Sequence, residues 1–194
     1  MAVCNKESVT AVVLAGGRAT RFGELDKGLV ELRGKPLVQH AVDAISSQVH
    51  SVLISANRNL DTYLKIAPVV TDGIDGYAGP LAGMLSALQE VETPYLVTLP
   101  CDAPHVSSSL VSRLCTAATE QKRKLAVAYD ERGKMQPVFA LIETSLVGAL
   151  HHFLQSGGRK AAEWIQSQNA AFADFSDVPK SFKNINTPDD LKTA

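Results

Sequence analysis

Ala11-Val12-Val13-Leu14-Ala15-Gly16-Gly17-Arg18-Ala19-Thr20-Arg21-Phe22-Gly23-Glu24-Leu25-Asp26-Lys27-Gly28 is the stretch on which the fold turns. Its first four residues are apolar and favour a strand; after Ala15 come two glycines and a loop of small and basic residues. Without Cβ atoms the backbone at Gly16 and Gly17 can come close to a ligand. Clustered N–H groups, with Arg and Lys side chains, would then face an anion. A strand feeding such a turn is suited to holding phosphate. It is not a Walker A loop, because no Gly-Lys-Ser/Thr follows, and adjacent glycines do not make G-x-G-x-x-G.

The rest of the chain repeats the motif of a buried strand that ends in a polar or glycine-rich stretch. Ser51–Ser55, Val69–Thr71, Tyr95–Leu99, Leu125–Tyr129 and Pro137–Ile142 are expected strands, with Phe172–Phe175 a last one. Between them, Leu37, Val38, Ala41, Val42 and Ile45 recur at helical spacing after Pro36, and Leu81, Met84, Leu85, Leu88 and Val91 do so after Pro80. Further helices are expected over Leu60–Ile66, from Ser107 or Ser108 through Leu114, over Thr144–Gln155 and over Arg159–Gln168. Thr187-Pro188-Asp189-Asp190 reads as cap, first-turn proline and first-turn acids. Continuous apolar strands alternating with helices predict a single-domain, Rossmann-like three-layer α/β fold. Its central sheet is mostly parallel, with helices on both faces. Ligands in such sheets sit beyond the carboxyl ends of the strands, where Gly16, Asn57, Asp72 and Asp102 would gather.

The bulk properties set bounds. The 194 residues are 45% apolar and 20% charged with a net charge of −1, an ordinary globular composition without a basic face for nucleic acid. Cys4, Cys101 and Cys115 are an odd number without paired spacing, which suggests neither a disulfide framework nor a zinc site. No segment approaches the roughly 20 apolar residues of a membrane span. The expected compartment is the cytoplasm, with neither membrane nor nucleic acid as partner.

Several residue types have two readings each. Asp102, aimed by Pro100 at a strand end, suits Mg²⁺ or a cap on the next turn. Lys27 and Arg21 suit charge neutralisation in phosphoryl transfer or a solvated surface. Asn57 and Asp72 suit a base or ribose, or plain turns. Arg159-Lys160, after Gly157-Gly158 at an expected helix start, suits an anion or solvent. Asn184 and Asn186 share one side of an extended segment. The five histidines show no metal spacing, and Cys101 reads as a buried small residue rather than a nucleophile.

Leu14-Ala15-Gly16-Gly17, Arg21, Gly23 and Asp26-Lys27-Gly28 resemble the opening of nucleotidyltransferases with a glycosyltransferase-A-like fold. The later motifs are Asn57, Asp72, Gly79-Pro80-Leu81-Ala82-Gly83, Pro100-Cys101-Asp102 with Pro104, and Asn184-Ile185-Asn186-Thr187-Pro188. Together they make the chain similar, over nearly its whole length, to the molybdenum cofactor guanylyltransferases, the MobA family. The resemblance implies transfer of GMP from GTP to molybdenum-molybdopterin, with release of pyrophosphate. It implies that Leu14, Ala15, Gly16, Gly17, Lys27, Asn57, Asp72 and Asp102 bind GTP, and that Asp102 holds Mg²⁺. Lys27, Arg21 and Asp102 would be catalytic, and Arg159, Lys160, Asn184 and Asn186 would lie on the pterin side. It implies one nucleotidyltransferase domain over 1–194, nucleotide-binding in its N-terminal part and pterin-binding in its C-terminal part. Other molybdenum cofactor biosynthesis proteins and acceptor molybdoenzymes would be partners.

Phe22 stands where the family usually has Met, and Lys160 where a second Arg is common; Lys lacks the bidentate fork of Arg. The motifs at Leu14–Gly17 and Pro80–Gly83 look like the guanine type rather than the cytidine type. A molybdopterin cytidylyltransferase or sugar-1-phosphate nucleotidyltransferase would share the opening loop and Asp102 but differ in the acceptor half. A non-catalytic nucleotide-binding protein would share the sheet alone.

Overall fold

Val9–Leu14 forms β1, a strand buried on both faces, and the other elements assemble around it. The computed structural model describes residues 3–16, 26–73 and 79–193. Gly17, Arg18, Arg21, Phe22 and Gly23 of the opening loop lie outside the described residues.

The order after β1 is β2 (Glu31–Leu32), β3 (Lys35–Pro36), α1 (Leu37–Ser46), β4 (Ser51–Ser55), α2 (Leu60–Tyr63), β5 (Val69–Val70), α3 (Pro80–Glu90) and β6 (Tyr95–Pro100). Then come α4 (Leu110–Glu120), β7 (Leu125–Tyr129), β8 (Met135–Glu143), α5 (Val147–Gln155), α6 (Ala161–Ser167), β9 (Ala171–Asp174) and α7 (Pro188–Thr193). Seven strands form one sheet in the order β5-β4-β1-β6-β8-β7-β9. β5, β4, β1 and β6 run parallel, β8 pairs antiparallel with both β6 and β7, and β9 is parallel to β7. The strand order changes direction at β1 and β6, and their carboxyl ends open a crevice there. β2 and β3 make a separate small hairpin whose turn, Arg33-Gly34, has positive φ at both residues (54° and 74°). That pair of angles is the turn a two-residue hairpin favours.

Alternating side chains of the sheet feed two cores. Ala11 and Val13 of β1 join Val38, Ala41, Val42 and Ile45 of α1, Tyr63 of α2 and Leu110, Val111 and Leu114 of α4. Val12 points the other way, into a core with Leu81, Met84, Leu85 and Leu88 of α3, Leu150 and Leu154 of α5 and Trp164 of α6. The expected three layers are thus observed, and the buried residues of α1 are the five read from spacing. α3 is buried on more sides than its expected stripe, from Leu81 continuously to Leu88. Small residues (Ala82, Gly83, Ser86, Ala87) fill the second side, which an apolar stripe does not reveal.

The edge strand β9 is blunted locally. Gln121, at the end of α4, both donates to the Phe172 carbonyl (2.9 Å) and accepts from its N–H (3.1 Å). These groups would otherwise offer a template for another strand. α7 carries the expected cap. Thr187 Oγ1 accepts from Asp190 N–H (3.2 Å), and Asp190 Oδ2 accepts from Thr187 N–H (2.8 Å).

Three expectations need correction. Cys4 and Cys115 form a disulfide, with Cα atoms 5.4 Å apart and a sequence separation of 111. Spacing carries no trace of it, because only packing of the N-terminal segment on α4 brings them together. The helix expected over Leu60–Ile66 stops at Tyr63, and that over Arg159–Gln168 starts at Ala161, since Lys160 is extended (φ −92°, ψ 120°). Cys101 is buried and free, and burial raises its thiol far above the usual range, which keeps it protonated and inert.

Candidate functional site

Leu14 and Ala15 end β1, and the chain is drawn across to the neighbouring strands there. Ala15 N–H donates to the Ser55 carbonyl (2.8 Å), and Leu14 O accepts from Cys101 N–H (3.1 Å). Three strand ends therefore meet within one turn of chain. Beyond them lies a cleft of about 410 Å³, lined by Leu14, Gly16, Ser55, Asp72, Gly79, Pro80, Gly83, Pro100, Asp102, Val138 and Asn184. This is the place parallel-sheet logic assigned to a ligand. A larger groove of about 670 Å³ lies beside the disulfide and α4, away from the strand ends that gather the polar residues.

Asp72, in the cleft lining, is interlocked with Asn57. Asn57 Nδ2 donates to Asp72 Oδ2 (2.7 Å), and Asn57 Oδ1 accepts from Asp72 N–H (2.8 Å). This reciprocal pair ties the end of β4 to the end of β5. Gly16 lies against it, and a Cβ there would come 3.6 Å from Asn57 Nδ2 and 3.9 Å from Asp72 Oδ2. Asp72 Oδ1 is buried with no partner among the described residues. Such an acceptor costs free energy unless something donates to it, as the N–H edge of a base would.

Asp102, also in the cleft lining, meets a cation. Asp26 caps the 3₁₀ turn Lys27–Leu29, and Lys27 Nζ donates to both Asp102 Oδ2 and Asn186 Oδ1, the latter at 2.7 Å. Three distant segments meet at that ammonium. Ile185 N–H donates to the Asp102 carbonyl (2.8 Å), and Ile185 is itself fully buried, so the Asn184–Asn186 segment is pinned along the end of β6. Asn184 Oδ1 and Asp102 Oδ1 are both buried and without partners among the described residues. These are hard oxygen acceptors facing the cleft that holds Lys27's partner. They fit a Mg²⁺ ion, which takes one or two carboxylates and fills its remaining positions with water and substrate phosphate. Among the described residues no group of three or more His, Cys, Asp or Glu could hold a metal alone, so the substrate would have to complete any such site.

α3 walls the cleft with its first turn. Gly79 has φ 63°, a conformation that favours glycine, and Pro80 follows at the first helical position. Gly83 allows the helix to lie against β1 and β4: a Cβ there would come 2.3 Å from Ser55 Oγ and 3.0 Å from Leu14 Cδ2. Gly83→Ala is therefore expected to cost about 1–3 kcal/mol by overpacking. Ser55→Ala should recover part of that loss by removing the closest atom. Urea melts of the two single variants and the double variant check this; a fully additive double variant would discard the close-approach explanation.

The expected pterin residues divide. Asn184 lines the cleft and Asn186 holds Lys27. Arg159 is exposed, and its Nη1 donates to the carbonyls of Leu154 and Gly158 (2.7 Å each), closing the carboxyl end of α5. Lys160 pairs with Glu163 (2.8 Å) at the surface. Neither is among the described residues lining the cleft. Arg21 and Gly17 lie outside the described residues. Sequence reasoning overlooked Ser55 and Val138. A serine at the buried end of a strand is a weak hint, and Val138 enters only because β8 crosses next to β6.

A family model described as a MobA-like NTP transferase domain matches residues 11–171. A molybdenum cofactor guanylyltransferase of Shewanella loihica is 43% identical over 182 residues, covering 93% of this chain and 92% of that protein. One of Cupriavidus metallidurans is 42% identical over 192 residues, covering 96% and 94%. Among solved structures, a molybdopterin-guanine dinucleotide biosynthesis protein A of Archaeoglobus fulgidus superimposes with a TM-score of 0.77 over 95% of each chain, at 24% identity.

Proposed function

The chain belongs to the MobA-like NTP transferase family, and from that premise we propose that it is a molybdenum cofactor guanylyltransferase. It transfers GMP from GTP to molybdenum-molybdopterin, giving the guanine dinucleotide form and pyrophosphate. The observation that carries this reading onto the chain's own residues is that one cleft is lined by both Asp72, held by Asn57, and Asp102, held by Lys27. That pairing suits a nucleotide with its base at Asn57–Asp72 and its triphosphate at Lys27–Asp102.

In this reading Leu14, Ala15, Gly16 and Gly17 bind the nucleotide, and Asn57 and Asp72 take the base. The terminal phosphate of molybdopterin attacks the α-phosphorus of GTP in line. A phosphorus–oxygen bond forms there while the bond to the bridging oxygen breaks, and its electron pair leaves with pyrophosphate. A phosphate monoester is already largely dianionic near neutral pH, so the attack requires no general base. Lys27, with Arg21, offsets charge on the triphosphate and the departing pyrophosphate. Asp102, with Asn184 beside it, would hold Mg²⁺, which supplies charge neutralisation at phosphate oxygens when bound.

We place the pterin toward Asn184 and Asn186, so that the N-terminal part of one domain over 1–194 binds nucleotide and the C-terminal part binds acceptor. Arg159 and Lys160 complete that side only by leaving their present partners. Cytoplasm is the proposed compartment; no helix among the described residues is long and apolar enough to cross a membrane. Other molybdenum cofactor biosynthesis proteins and acceptor molybdoenzymes are the proposed recipients of the product.

Incubation with molybdopterin, GTP and Mg²⁺ should yield the guanine dinucleotide and pyrophosphate. A ligand at about 100 times its Kd adds roughly 2.7 kcal/mol to stability, so GTP should raise Tm more than CTP at equal concentration. A larger rise with CTP, and product from CTP instead, would reassign the base and make this the cytidylyl enzyme.

A further inference from the structure

Tyr63 carries a hydroxyl into the core. It is fully buried in the layer of α1 and α4, and its hydroxyl donates to Asp26 Oδ1 at 2.6 Å. Asp26 is itself buried; its Oδ1 also accepts from Gly28 N–H (3.3 Å), and its Oδ2 accepts from Asn59 Nδ2 (3.0 Å). A buried carboxylate is costly unless it is hydrogen-bonded, and here three donors from two chain segments satisfy it. Burial, then the bond to Asp26, raises the ionisation of Tyr63 far above the usual range, so it remains a donor throughout the working pH range.

The geometry leaves no slack. A Cβ on Gly28 would come 2.4 Å from Tyr63 Oη, so glycine at that position is what allows the phenol to reach Asp26. Asn59 holds φ 52°, a left-handed conformation that turns the chain between Asn57 and α2. The segment that carries Asn57 thus also grips Asp26, and Asp26 caps the turn that carries Lys27. Neither Tyr63 nor Asn59 is among the residues lining the cleft.

We propose that Tyr63 and Asn59, through Asp26, are positioning residues for Lys27, and that they join the segment carrying Asn57 to the turn carrying Lys27. The proposal rests on the GTP-binding reading for its functional consequence. It concerns side chains that touch no substrate and act only on where the Lys27 ammonium stands.

The test uses Tyr63→Phe, which keeps the ring and removes the hydroxyl. A second variant, Asn59→Gly, keeps the left-handed backbone and removes the amide on an exposed residue, which covers the case in which Tyr63→Phe fails to fold. Amide exchange at Gly28 and Leu29 is expected to quicken about fivefold or more in both, since the cap is loosened without any ligand present. GTP affinity by calorimetry should weaken about tenfold, as the loss of a hydrogen bond to a charged group would give. In a Lys27→Ala background the same substitutions should weaken GTP binding no further, whereas a general loosening of the core would weaken it by the same factor in both backgrounds. Unchanged exchange at Gly28, or equal losses in both backgrounds, overturns the proposal. If the wild-type chain takes up no GTP, the functional reading falls, and the exchange comparison still decides whether Tyr63 and Asn59 order the Lys27 turn.

Discussion

Asp102→Ala is expected to lower GMP transfer by about 10²–10³, the size of losing one electrostatic contact to a transition state, while the protein stays folded. The asymmetry follows from where the side chain is spent. One oxygen meets Lys27, and the other is buried with no partner among the described residues, so removing the carboxylate deletes an unsatisfied acceptor along with one ion pair. The backbone carbonyl that receives Ile185 N–H is untouched, so the Asn184–Asn186 segment keeps its anchor. Asp102→Asn should be nearly as inactive, because it keeps the shape and loses the charge. Steady-state turnover beside a circular-dichroism melt checks both; near-normal turnover in either variant removes the Asp102 charge from the mechanism.

Lys27→Met should be expensive in a different way. Its side chain is 22% exposed and that of Asp102 only 11%, so the substitution strands a mostly buried carboxylate. Removing one partner of a buried pair costs about 3–5 kcal/mol at full burial, and this pair, with some solvent access, should fall at or below the lower end. Transfer should drop by a further factor of about 10²–10³ at saturating GTP, since the cation that offsets phosphate charge is gone. The telling measurement is Tm with and without Mg²⁺. Lys27 now occupies the oxygen that a metal would share, so Mg²⁺ should raise Tm more in Lys27→Met than in the wild-type chain. An equal or smaller rise in the variant would count against Asp102 as the metal ligand, whatever the enzyme's activity.

The opening stretch was legible because its chemistry is local. Val9–Leu14 is apolar at every position but Thr10, and a sheet buried on both faces requires that of a central strand. Lys27 and Asp102 were each legible as candidates, yet each kept an ordinary reading, a solvated lysine and a turn cap. What the structure adds is that the two side chains pair with each other across 75 residues of chain. Arg159 went the other way. Glycines before a basic pair suggested an anion site, but Gly157 N–H bonds the Leu154 carbonyl and the Arg159 guanidinium takes that same carbonyl. A helix end has unsatisfied carbonyls of its own, and these compete for a nearby cation.

By itself the sequence determined the layer order, the apolar face of α1, the α7 cap and the strand ends at which a ligand would sit. Each follows from periodicity or from turn chemistry within a few residues. Tertiary structure alone decided that Asn57 locks onto Asp72, that Tyr63 reaches Asp26, that Asn186 shares Lys27 with Asp102, and that Cys4 meets Cys115. These contacts join segments whose separation carries no period. They exist because parallel strands deliver their carboxyl ends to one edge, where short side chains from remote positions fall within hydrogen-bonding reach.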